Sequence, residues 1–176
     1  MMPEFSEEFH EPSRRNRISR FNVAAMIGIP LAAILFQVYV PRFIHYLQYL
    51  ELPLLVTVYF ALMRRSPVAG VFFGAGIGLA QDSLSHQYLG LFGIVKTLVG
   101  YFAASVSRRF DVENSMVRLV LGFFFFFFHQ FFYWALTGAL LGETADFDPQ
   151  QTLVLAVLNA AVGVPLYHVM DKLKLG

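Results

Sequence analysis

The sequence predicts an all-α membrane protein, a bundle of six transmembrane helices. Of its 176 residues, 57% are apolar, twenty are phenylalanine and only 14% are charged. A soluble domain of this size carries about a quarter charged residues. The apolar residues fall into six long runs separated by short polar or basic turns. All lysines and arginines except Arg42 and Lys96 lie on one side of those runs, if both termini lie there too. This is the pattern of the positive-inside rule, and it predicts cytoplasmic termini.

Taken in order, residues 1–20 are an acidic then basic tail, expected to be solvated and disordered, with Arg14, Arg15, Arg17 and Arg20 orienting the first span. Residues 21–171 form the transmembrane domain, and 172–176 close the chain on the cytoplasmic side. Phe21 to Val40 is long enough to cross about 30 Å of hydrocarbon as an uncleaved first span. Pro41-Arg42 makes a turn, and the second span is expected within Phe43 to Met63, closed by Arg64-Arg65-Ser66-Pro67.

The third and fourth spans organise the rest. Gly70, Gly74 and Gly78 recur at intervals of four and form a smooth stripe on a helix, along which another backbone can approach closely. A polar linker, Gln81 to Gln87, leads to the fourth span. There Gly93, Lys96, Gly100, Ala103 and Ser107 share a face, so Lys96 should point into protein. Arg108, Arg109 and Arg118 are read as cations of the next connector, where Asn114 or Ser115 caps the fifth span, Met116 to Leu141. That span holds six consecutive phenylalanines, Phe123 to Phe128, read as lipid-facing bulk and packing. An acidic loop with Glu143, Asp146 and Asp148 precedes the sixth span, Thr152 to Met170.

Ionisable groups inside spans are costly and are the default functional candidates. Glu51, Asp82 and Lys96 all fall in the outer half and are expected to cluster, with the lysine offsetting both carboxylates. Such a cluster can fix helix register as a buried ion pair, bind a ligand or partner, or couple protons or ions. His129, Gln130 and Asn159 are mid-membrane polar residues, for which hydrogen bonding between helices is the ordinary role. No histidine pair stands at metal-ligand spacing, no cysteine is present, and no nucleophile or phosphate-binding motif appears. The expectation is a protein that is not an enzyme, with no metal, no cofactor and no nucleic-acid partner.

The run Gly78-Leu79-Ala80-Gln81-Asp82-Ser83-Leu84, then Leu89-Gly90-Leu91 and Lys96-Thr97-Leu98-Val99-Gly100-Tyr101, resembles the signature of the MreD family of bacterial rod shape-determining proteins. Glu51-Leu52-Pro53-Leu54-Leu55 is similar to the family's second span, though with the acidic residue before the proline. The resemblance implies a multi-pass scaffold in the bacterial inner membrane, embedded in lipid. It also implies direct association with MreC and, through it, with MreB filaments and the transpeptidase and glycosyltransferase of wall synthesis. The family's fold is similar to the substrate-binding components of energy-coupling-factor transporters, which keeps a second reading open, a small-molecule-binding transport component.

Overall fold

A computed structural model describes residues 20–85, 88–142 and 146–175. Most of the predicted N-terminal tail, His86 and Gln87 of the linker, and Glu143 of the acidic loop lie outside the described residues. Six α-helices follow one another: α1 (Val23–Tyr39), α2 (Leu52–Arg64), α3 (Pro67–Ser85), α4 (Leu91–Val106), α5 (Ser115–Leu141) and α6 (Pro149–Asp171). Two short strands, β1 (Arg20–Phe21) and β2 (Lys174–Leu175), pair antiparallel and hold the two ends of the bundle together.

The chain is an all-α membrane protein. Four stretches are long and apolar enough to cross a bilayer: Val23–Arg42, His45–Arg64, Ser115–Leu141 and Pro149–Asp171. The other two helices, α3 and α4, are knitted to each other, and α4 alone spans about 24 Å at 1.5 Å per residue.

The second span departs from expectation. Its α-helix begins only at Leu52, and the residues before it form two 3-10 turns, Val40–Arg42 and His45–Tyr49. Pro53 explains the break: it has no N–H to donate, and its ring would collide with the carbonyl four residues earlier, so it is tolerated only in the first turn. Every residue from Pro53 to Met63 is buried, and α2 touches each of the other five helices. It is the hub of the bundle, and its apolar surface all round is what a central helix needs.

Two further expectations are corrected. The linker predicted at Gln81 to Gln87 is helical through Ser85, with Gln81 and Asp82 buried, because Asp82 finds its partners in the next helix. Arg118 is no loop cation but a buried side chain of α5. Asn114 caps α5 by accepting from the Met116 N–H at 2.8 Å, and the phenylalanine run turns Phe125 and Phe126 inward. The sixth helix starts a turn early because Asp148 caps it, accepting from the Gln151 N–H at 3.0 Å.

Candidate functional site

The contact between α3 and α4 positions the site. A Cβ built on Gly70 would run into the carbonyl of Gly100, one on Gly74 into that of Lys96, and one on Gly78 into that of Phe92. Gly100 faces the Gly70 carbonyl in return, while Gly93 packs against the Leu79 side chain. Two backbones in contact along this line fix where the side chains of α4 stand.

Lys96 is fully buried. Its Nζ lies 3.8 Å from Glu51 Oε2, 3.3 Å from His129 Nε2 and 4.2 Å from the centre of the Phe92 ring. The ammonium is thus held by a carboxylate from the start of α2, an imidazole from α5 and an aromatic face one turn back on α4. Glu51 and Lys96, placed together by sequence reasoning, do meet.

Asp82 does something else. Its carboxylate accepts from the backbone N–H groups of Gly90, Phe92 and Gly93 at 3.0, 3.2 and 3.0 Å. Gly90, at φ 102, stands in the N-cap position of α4 and has no side chain with which to cap it. The orphan N–H groups of that first turn are satisfied from the neighbouring helix, where the positive end of the helix dipole also favours a carboxylate. Lys96 therefore does not offset Asp82 by direct pairing; the expected three-member cluster is an ion pair beside a capped helix.

His129 completes the Lys96 environment, and the sequence placed it in a separate group. The amide of Asn159 holds the break before α2 in place: Oδ1 accepts from the Glu51 N–H at 2.8 Å, and Nδ2 donates to the carbonyls of Tyr49 at 2.8 Å and Leu155 at 3.0 Å. Gln37 reaches the same segment from α1 and accepts from the Leu52 N–H at 3.4 Å. Two amides, from α1 and α6, thus hold the backbone that carries Glu51.

Above this cluster lies a cavity of about 440 Å³ whose lining includes Tyr49, Tyr88, Gln130, Tyr133 and Trp134. The Phe92 ring, over which the lysine sits, stacks on Tyr133 of that lining with centroids 4.9 Å apart. Gln130 thus belongs to the cavity wall, one residue along α5 from His129.

A second polar knot, which the sequence reading missed, closes the other end of the bundle. Asp171 accepts from Tyr59 Oη at 2.9 Å and from Arg118 Nη1 at 2.6 Å, and Lys174 Nζ lies 2.8 Å away. Arg118 Nε also donates to the Val112 carbonyl at 2.7 Å. The available signal was an arginine inside an otherwise apolar helix, which demands a carboxylate partner.

No curated protein and no solved structure matches this chain. The family model of rod shape-determining protein MreD matches residues 19–174, a span that takes in the α3–α4 contact and both polar knots. The chain belongs to the MreD family of rod shape-determining proteins.

Proposed function

We propose that this protein is a non-enzymatic scaffold of the cell-elongation machinery, lodged in the bacterial inner membrane with both termini in the cytoplasm. It binds MreC directly and links MreB filaments, through MreC, to the transpeptidase and glycosyltransferase of wall synthesis. The observation that carries this reading is the α3–α4 pair, which joins its helices backbone to backbone and leaves apolar grooves on its outer faces. One, of about 340 Å³, is lined by Ala75, Leu79, Ile94 and Thr97; another, of about 300 Å³, runs between α1 and α3 past Pro30 and Gly76. Small residues in such grooves let a partner's single transmembrane helix approach closely, so that van der Waals packing drives association within lipid.

The cavity above Lys96 favours a second reading, a small-molecule-binding transport component, because its volume falls within the range of ligand sites. Purification from native membrane in mild detergent, followed by mass spectrometry, separates the two. Recovery of MreC with wall synthases supports the scaffold. Recovery of a pair of ATPases in their place would overturn it in favour of transport.

A further inference from the structure

The aromatic cavity carries a charge pattern of its own. Besides four aromatic residues, its lining holds Phe147 with Asp146 and Asp148 on either side and, among the described residues, no lysine, arginine or histidine. Phe147 is anchored against α5, with its ring 5.4 Å from Trp134, 6.0 Å from Phe127 and 6.1 Å from Phe131. That anchor keeps Asp146 and Asp148 at the cavity lining, where one oxygen of Asp148 is occupied by the cap of α6. Aromatic faces carry negative quadrupoles, and a cage of them is the established way to hold a desolvated ammonium.

We propose that this cavity is a binding site for organic ammonium cations, with the aromatic walls facing the cation and Asp146 and Asp148 supplying the opposing charge. The site stands whether or not the chain also anchors partner helices. Its depth suits a lipid amine: Trp134 lies about 29 Å along α5 from Ser115, close to the thickness of the hydrocarbon layer, where tryptophan and tyrosine gather at headgroup level. A soluble amine would present the same chemistry.

Trp134 is the only tryptophan of the chain, so it reports on the cavity alone. The full-length protein in a maltoside detergent is titrated with tetramethylammonium chloride, with sodium chloride at equal ionic strength as the control. The expected result is a saturable change in tryptophan emission with tetramethylammonium only. The double variant Asp146→Asn/Asp148→Asn, whose asparagine still caps α6, should bind about tenfold more weakly. Glu113→Gln, at the far end of α5, should bind as wild type does.

Repeating the titration in nanodiscs identifies the source. With the phosphatidylglycerol fraction, and so the surface charge, held equal, weaker apparent binding when the remaining lipid is phosphatidylethanolamine than when it is a neutral glycolipid assigns the cavity to a lipid headgroup amine, and equal binding assigns it to a soluble amine. An emission change that sodium reproduces, that never saturates, or that survives unaltered in the double variant overturns the proposal.

Discussion

Lys96 stands fully buried between Glu51 and His129, so replacing it with methionine strands a carboxylate that keeps only 17% of its side-chain exposure. Breaking one partner of such a pair costs about 3–5 kcal/mol. The unfolding midpoint of Lys96→Met in detergent should therefore fall well below that of the exposed control Lys172→Met. Glu51→Gln added to Lys96→Met should restore part of the loss, because it removes the stranded charge. Equal midpoints for Lys96→Met and Lys172→Met would show that the pair contributes nothing. Asp82→Ala should also be costly, since it leaves three N–H groups at the start of α4, that of its N-cap Gly90 included, without their charged acceptor. At this scale the sequence disclosed which residues had to be buried but not whom they would meet. Spacing put Lys96 on a small-residue face, whereas the capping role of Asp82 depends on Gly90 lacking a side chain, and the partner of Arg118 lies 53 residues away.

The helices test the glycine reading separately. Gly74 meets the backbone of Lys96, whereas Gly76, on the same helix, faces open space. Gly74→Ala must push the two helices apart and should destabilise by about 1–3 kcal/mol, as overpacking does. Gly76→Ala should be neutral or slightly stabilising, because alanine is the better helix former by about 1 kcal/mol. Thermal unfolding of the two variants side by side checks this, and similar midpoints would mean that close approach along α3 is not what holds the pair. The stripe was legible because a four-residue period has one meaning on a helix. The late start of α2 was less so: an apolar run from Phe43 onward looks continuous, and only Pro53, read as forbidding a helical turn before it, marks the break.

Across the whole molecule, the pairing of Arg20 with Leu175 and of Phe21 with Lys174 brings both ends of the bundle to one face. Phe21 adds an apolar plug there, its ring meeting Tyr59 and Phe60 edge to face at 5.9 and 5.3 Å. Ends that meet require an even number of crossings, which agrees with the six apolar runs and with the cation distribution read from the sequence. The same geometry puts the α3–α4 hairpin at the opposite face, since three helices separate it from the paired ends. The chain has no cysteine, so single cysteines can be introduced without background. In intact cells stripped of their outer membrane, Tyr88→Cys should react with a membrane-impermeant maleimide, while Leu173→Cys should react only after the membrane is opened. Labelling of both residues in sealed cells would break the even count. Labelling of Leu173→Cys alone would keep the bundle but invert it.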